Sequence, residues 1–155
     1  MIVRKTIITI VVGGVIFHGN KVLILKRADG EKILPNHWEL PSGKKLLQED
    51  IETCLRREVR EETRLKIKAI LPFSVFEYQV SNENENEAEV RIQINYLAER
   101  TGKGTIVLSE EHSEFAWIHR AELRRYTMSK DVKKVIDRAC QLKEALEILS
   151  KKSNT

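Results

Sequence analysis

The stretch that decides the fold runs from Gly43 to Leu65 and reads GKKLLQEDIETCLRREVREETRL. Its second half has the spacing of an amphipathic helix. At about 100° per residue, Glu58, Glu61 and Glu62 fall on one arc together with the apolar residues, while the arginines and lysines lie outside that arc. Three like charges beside a packing face are costly unless a cation neutralises them. Oxygen ligands without a nearby cysteine and histidine set favour a hard ion, Mg²⁺ first and Mn²⁺ second.

A second interpretation of the same helix is an exposed one that is stabilised by ion pairs. Arg57 and Glu61 are four residues apart, which is the spacing of a helical salt bridge. Helices rich in glutamate and arginine are often solvated faces. The helical angles alone therefore leave both interpretations open.

The stretch resembles the Nudix box, whose pattern is Gly, five residues, Glu, seven residues, Arg-Glu, an aliphatic residue, any residue, Glu-Glu, any residue, Gly and an aliphatic residue. Eight of the nine defined positions match in register: Gly43, Glu49, Arg57, Glu58, Val59, Glu61, Glu62 and Leu65. Arg64 stands where the box has its last glycine. The preceding residues 38–43, WELPSG, also resemble the lead-in to the box, with Ser42 where a second glycine is common.

The departure at Arg64 concerns the backbone. A residue just past a helix end often has a positive φ, where glycine is the cheapest residue. We therefore expect a left-handed conformation at Arg64, at a cost of about 1 kcal/mol. This position carries no chemistry, so the carboxylates keep their arrangement.

The resemblance implies a Nudix-type α/β/α sandwich, an α/β fold with a mixed β-sheet between helices, and an enzyme that hydrolyses a nucleoside diphosphate linked to another group. By resemblance, Mg²⁺, or Mn²⁺ in its place, is bound by the carbonyl of Gly43 and by the carboxylates of Glu58, Glu61 and Glu62. Glu61 is a metal ligand or the general base, and Glu58, Glu61 and Arg57 form the catalytic set. Arg57 holds a carboxylate in place. Glu49 has a supporting role, which is to orient the loop and Arg57.

Three further site residues lie outside the box. In the family, a carboxylate from the region of residues 109–114 often completes the metal site or acts as base. Glu110, Glu111 and Glu114 are candidates there, and Glu111 is preferred. By resemblance, Arg27 meets a substrate phosphate, although a solvated strand end is an equal interpretation. Trp38 is a candidate for substrate binding by base stacking, although tryptophan in such a strand is more typical of the core.

The lead hypothesis for the function is MutT-like hydrolysis of a nucleoside triphosphate to a monophosphate and pyrophosphate. The alternative is a pyrophosphatase that acts on ADP-ribose or another nucleoside diphosphate derivative. Members with those activities often have a proline or a tyrosine downstream of the box, whereas this chain has Ser81 and Asn82 there. A third hypothesis is a catalytically silent nucleotide-binding module. The retained glutamates argue against it, since a site that has lost its catalytic activity has no need of clustered like charges.

Composition places the chain among ordinary globular proteins, with 41% hydrophobic and 32% charged residues. We expect residues 1–155 to form a single domain with a disordered tail at 150–155. The net charge of +4 suits a nucleotide substrate and gives no strong nucleic-acid signal. No apolar run reaches the length of a membrane span, and the run from Ile7 to Phe17 is better explained by a β-hairpin than by a signal peptide. We therefore expect a cytoplasmic location.

Hydrophobic periodicity predicts the remaining elements. The expected strands are residues 6–17, 21–27, 38–40, 66–80 with an interruption at Pro72, 89–100, 105–108 and 115–118. We also expect a hairpin tip at 81–87, a short helix at 119–126 and a long amphipathic helix at 131–149. That helix is expected to pack on the core, and a homodimer through it is the alternative. The two cysteines are expected to be buried, and the four scattered histidines indicate no zinc site.

Overall fold

The computed structural model describes residues 5–81 and 86–154. Its strands, in chain order, are β1 (Lys5–His18), β2 (Lys21–Arg27), β3 (Trp38–Glu39), β4 (Ser42–Lys44), β5 (Lys66–Val80), β6 (Glu87–Thr101) and β7 (His112–Ile118). Two α-helices, α1 (Ile51–Thr63) and α2 (Lys130–Lys152), and a 3₁₀ helix at Arg120–Arg125 complete the fold. Both long apolar runs near the amino end are strands, as the β-branched residues predict.

The seven strands form one mixed sheet. Its central order is β3-β2-β1-β6-β5, while β4 pairs with β1 and β7 pairs with β2. The pairing of β1 with β6 is parallel, and the other pairings are antiparallel. Because β4 pairs beside Val12 in the middle of β1, Gly43 lies at the centre of the sheet. The β2–β7 pairing places His112 opposite Arg27.

The two helices cover opposite faces of the sheet, so the α/β/α sandwich with a mixed sheet is confirmed. One core cluster joins β1, β2 and β6 to Val135, Ile136 and Ala139 of α2. The other joins the sheet to Cys54, Leu55 and Val59 of α1. Both cysteines are free and buried, as expected, and burial raises the pKa of the Cys54 thiol to about 12.

Several predicted boundaries differ from the structure. Residues 105–108 form no strand, because the Val107 N–H donates to the carbonyl of Thr63 at the end of α1. Strand β5 continues through Pro72, with irregular register on both sides of that residue. This is tolerated because β5 is an edge strand of the sheet.

The carboxyl-terminal helix is longer than its apolar pattern indicates. Helix α2 continues to Lys152, so the tail predicted at 150–155 is helical over its first three residues. Leu149 is 62% exposed, which shows that the core-facing stripe ends before it. A homodimer through this helix stays a prediction. Among the described residues, no helix has the length and apolar character needed to cross a membrane. Residues 82–85 of the expected hairpin tip lie outside the described residues.

Candidate functional site

Local sequence sets both ends of helix α1. Asp50 is the N-cap, and its Oδ1 accepts a hydrogen bond of 2.7 Å from the Thr53 N–H. At the other end Arg64 has φ of 64° and ψ of 4°, and its N–H donates to the carbonyl of Arg60. The left-handed conformation expected at the departure from the box is thus confirmed. Glu49 precedes the N-cap and therefore lies in the loop before the helix.

Glu62 lies on the packing face of α1 and is only 4% exposed. Its Oε2 accepts a long hydrogen bond of 3.3 Å from the Ser42 N–H. Burial raises the pKa of this carboxyl well above its ordinary value, and the nearby carboxylates of Glu39, Glu58 and Glu111 raise it further. Such a group is stable in the charged form only when a cation lies next to it.

Gly43 is in direct contact with the carboxylate of Glu58. A Cβ built on Gly43 would lie 2.0 Å from Glu58 Cδ, far inside any permitted contact. Glycine is therefore required at this position because a carboxylate occupies the space of a side chain. Burial raises the pKa of Glu58 above its ordinary value, although Arg57 acts in the opposite direction.

Arg57 links the loop before α1 to two carboxylates of the box. Its guanidinium donates two hydrogen bonds to Glu49, at 2.9 and 2.6 Å, and one to the Lys44 carbonyl. It also reaches Glu58 at 2.7 Å and Glu61 at 3.2 Å. By its helical angle Arg57 lies outside the carboxylate arc, but its long side chain reaches Glu58 and Glu61. The pKa of the Glu49 carboxyl falls to about 2, mainly through the Arg57 hydrogen bonds.

A second wall faces α1 and comes from β3 and the start of β7. His112 Nε2 lies 2.8 Å from Glu39 Oε1, and the His112 side chain is fully buried. The loop before β7 is fixed from two sides, since the Ser109 N–H donates to the Glu62 carbonyl and the Ala28 N–H donates to the Glu111 carbonyl. As a result, one donor atom each from Glu62, Glu111 and His112 lies within 4.8 Å of the others.

Of the three loop glutamates considered from the sequence, Glu111 is the one that faces Glu62. Glu114 is instead paired with Lys26 at 2.7 Å. The group of three donors leaves out Glu58 and Glu61, whose carboxylates contact Arg57. The sequence analysis missed Glu39 and His112. The only signals were that Glu39 belongs to the lead-in and that His112 follows Glu111.

The two residues expected to bind substrate both line a cavity beside the carboxylates. Arg27 donates to Glu39 and Glu31, both at 3.0 Å, and to the Ile33 carbonyl at 2.6 Å. Its guanidinium is thus already bound to protein acceptors. Trp38 packs edge-to-face on Tyr126, with ring centroids 5.0 Å apart, and is partly buried against the core. Trp38 therefore belongs to the core and also presents a surface to the cavity.

The cavity has a volume of about 380 Å³ and two chemically different sets of lining residues. The acidic set consists of Glu39, Glu62 and Glu111, together with Gly43. The aromatic set is aromatic and aliphatic, and Arg91 and Gln93 are among the other polar residues of the lining. Its apolar lining consists of Val11, Ile33, Leu34, Trp38, Phe76, Tyr78 and Val132.

The acidic set of lining residues has the donors that a divalent cation requires. Carboxylate oxygens converge there from two separate elements, with Glu62 on α1 and Glu111 on the opposite loop. Glu62 is buried, and the negative groups around it raise its pKa, so a hard cation would relieve the mutual repulsion. The residues present therefore fit a divalent metal ion.

Comparison with known proteins identifies the family. The model of the NUDIX domain matches residues 8–139. The nucleoside triphosphatase NudI of Escherichia fergusonii is 28% identical over 118 residues, which cover 74% of this chain and 84% of that protein. A MutT NUDIX hydrolase structure from Burkholderia pseudomallei matches with a TM-score of 0.70 and 21% identity, over 84% of this chain and 96% of that one. A C. elegans Ap4A hydrolase matches with a TM-score of 0.67 and 18% identity, over 88% and 98% of the two chains.

The match to the domain model spans far more than half of the chain and includes every residue of the box. It also covers all seven strands apart from the first residues of β1, together with α2 from Lys130 to residue 139. The sheet and its helices are those of the solved Nudix structures. The chain therefore belongs to the NUDIX domain family and is a pyrophosphohydrolase of that type.

Proposed function

We propose that this protein hydrolyses a nucleoside triphosphate to a monophosphate and pyrophosphate, with Mg²⁺ as the cation and Mn²⁺ as its substitute. The observation that carries the proposal is the lining of the cavity, which combines carboxylates with aromatic side chains. A nucleotide presents the matching pair of groups, a charged phosphate chain and a flat base. The likeness to a nucleoside triphosphatase supports a triphosphate as the substrate.

The aromatic set of lining residues can bind the base. Trp38, Phe76 and Tyr78 provide flat faces on which a nucleobase can stack. The cavity of about 380 Å³ lies near the lower end of the usual range for ligand pockets, about 300–1,000 Å³.

The acidic residues can bind the cation and, through it, the phosphates. The residues that would hold the ion are Gly43, through its carbonyl, and Glu58, Glu61, Glu62 and Glu111, through their carboxylates. A divalent cation bound there neutralises the charge that builds on the phosphate oxygens during displacement. Glu62 is the most buried of these groups and therefore has the strongest need of a cation.

The attacking water needs a base. The Glu61 side chain is 58% exposed, so it can accept a proton from a water molecule. Arg57 holds both Glu58 and Glu61 by hydrogen bonds and thereby fixes their positions relative to the substrate. Glu49 in turn fixes Arg57 by two hydrogen bonds, which agrees with a supporting role.

The test is a panel of nucleoside triphosphates, ADP-ribose and other nucleoside diphosphate derivatives, assayed with Mg²⁺ and then with Mn²⁺. We expect pyrophosphate release from at least one triphosphate, and losses of about 10²-fold or more in Glu61→Gln and Glu62→Gln. Glu52→Gln is the matched control, since Glu52 lies on the same helix and pairs with Arg56 away from the site.

Three results are distinguished by this panel. Turnover of a triphosphate that disappears in the two variants but not in the control supports the proposal. Turnover of ADP-ribose or another diphosphate derivative alone would replace it with the alternative activity. Tight nucleotide binding without turnover of any compound would identify a catalytically silent binding module.

A further inference from the structure

His112 is a buried histidine with one ring nitrogen bound and the other free. Its Nε2 lies 2.8 Å from Glu39 Oε1, and Glu39 Oε1 also accepts a hydrogen bond of 3.0 Å from Arg27. An ionised carboxylate can only accept, so in the neutral ring the hydrogen is on Nε2 and Nδ1 keeps its lone pair. Nδ1 is buried, and within residues 5–81 and 86–154 it has no hydrogen-bond partner. A buried lone pair of this kind is expected to have a bound partner, such as a water molecule or a metal ion.

The surroundings of His112 indicate what that ligand is. One ring nitrogen lies within 4.8 Å of a carboxylate oxygen of Glu62 and of Glu111, and these two oxygens are equally close to each other. A histidine that binds a metal through one nitrogen usually donates its other N–H to a carboxylate, which fixes the ring orientation. Glu39 occupies that position relative to His112.

We propose that His112 binds the divalent cation through its free Nδ1, with the ring oriented by Glu39, and that it shifts the preference of the site from Mg²⁺ towards Mn²⁺. The inference rests on the proposed function, because it takes the cation to bind among Glu62 and Glu111. Imidazole suits transition metals, whereas Mg²⁺ prefers oxygen donors. A cluster made of carboxylates alone would show no such shift.

The surrounding contacts hold His112 in a position to act in this way. The His112 N–H donates to the Ser109 carbonyl, and the Ser109 N–H donates to the carbonyl of Glu62 itself. Two backbone hydrogen bonds thus connect the segment that carries His112 to the helix that carries Glu62. Arg27 is a positioning residue in this arrangement, since it reaches the site through Glu39.

The experiment is to bind Mn²⁺ to the whole protein and record its electron spin echo envelope modulation. We expect ¹⁴N modulation from a directly coordinated imidazole in the wild type. His112→Gln should lose that modulation, and its Mn²⁺ affinity should fall by about 10–100-fold. The Mg²⁺ affinity, measured by calorimetry, should fall less. Glu39→Gln should keep the modulation and bind Mn²⁺ more weakly, because it removes the orienting carboxylate but retains the ligand.

His37→Gln is the matched control, because His37 lines the same cavity but is only partly buried and has a ring nitrogen 3.2 Å from the Pro35 carbonyl. Its modulation and Mn²⁺ affinity should equal those of the wild type. Absence of ¹⁴N modulation in the Mn²⁺-loaded wild type would overturn the inference, and this result does not depend on the folding of any variant. Undiminished modulation in His112→Gln would also overturn it.

The two proposals fail separately. Nucleotide hydrolysis with Mg²⁺ by a wild type that shows no nitrogen coupling would leave the proposed function standing and remove His112 from the ligand set. Nitrogen coupling that depends on His112, in a protein that hydrolyses no nucleotide, would support the ligand and refute the activity.

Discussion

Replacement of Gly43 by alanine should abolish activity by displacing a single carboxylate. The added Cβ would lie 2.0 Å from Glu58 Cδ, whereas ordinary contact begins near 3.4 Å, so the carboxylate must move by about 1.4 Å. A misplacement of about 1 Å in a catalytic group can lower the rate by about 10²-fold. We therefore expect kcat/KM for pyrophosphate release to fall by at least about 100-fold, which corresponds to about 2.7 kcal/mol.

The same substitution should have little effect on folding. Gly43 is not among the glycines with a positive φ, so alanine is compatible with its backbone. The Glu58 side chain can rotate away from the added methyl group, and the free energy of unfolding should change by about 1 kcal/mol or less. Gly30→Ala is the matched control, since a Cβ there would contact nothing within 4 Å. Thermal unfolding and steady-state kinetics would be measured for both variants.

The reasoning fails if Gly43→Ala keeps kcat/KM within about threefold of the wild type. It also fails if Gly30→Ala loses as much activity as Gly43→Ala, since the loss would then not come from contact with Glu58. A large fall in melting temperature for Gly43→Ala alone would show that the strain is released through the backbone rather than through the carboxylate.

Three other changes follow from the same geometry. The folded-state pKa of Glu62 is raised, so its contribution to the stability of the metal-free protein is full below its ordinary pKa of 4.5 and is lost as pH rises through the folded-state value. In EDTA, Glu62→Gln should thus raise the melting temperature by a few degrees at pH 8 and by less at pH 5. The exposed Glu61→Gln should not raise the melting temperature. Equal shifts of Glu62→Gln at both pH values would contradict this prediction. Lysine cannot form two hydrogen bonds to Glu49 as Arg57 does, so Arg57→Lys should lower kcat about 10–100-fold. Adding Glu49→Gln to Arg57→Lys should lower kcat little further, because the two residues act together. Strictly additive losses would show that the two residues act independently. Trp38→Leu should raise KM about tenfold with a smaller change in kcat, because a stacking surface is lost, and an unchanged KM would exclude Trp38 from base binding.

The helix of the box could be predicted from sequence because its determinants are local. Asp50 at the N-cap and the left-handed Arg64 at the far end both depend on residues within one turn. The buried position of Glu62 followed from its angular distance to Leu55 and other apolar residues, which is a property of any regular helix. The same locality explains why strand β2 was predicted with its observed bounds.

The opposite wall could not be predicted because it depends on pairing between distant segments. His112 approaches Glu39 only through the register of β2 with β3 and β7, which joins positions 73 residues apart. The positions of the four histidines along the chain therefore did not indicate the contact between His112 and Glu39. The contact of Arg57 with Glu58 does not follow from helical angles alone, since a helical angle describes Cβ directions and ignores the length of the side chain.

The segment at residues 105–109 shows how the failure of the strand prediction is connected with the position of Glu111. A helix leaves its last carbonyls without partners inside the helix. Here the Val107 and Ser109 N–H groups donate to the carbonyls of Thr63 and Glu62, so backbone groups that a strand would use for pairing satisfy the end of α1. The chain that follows is thereby brought alongside the helix, and Glu111 reaches Glu62 two residues later. The second wall of the site is thus positioned by the hydrogen-bonding requirement of the helix that carries the first.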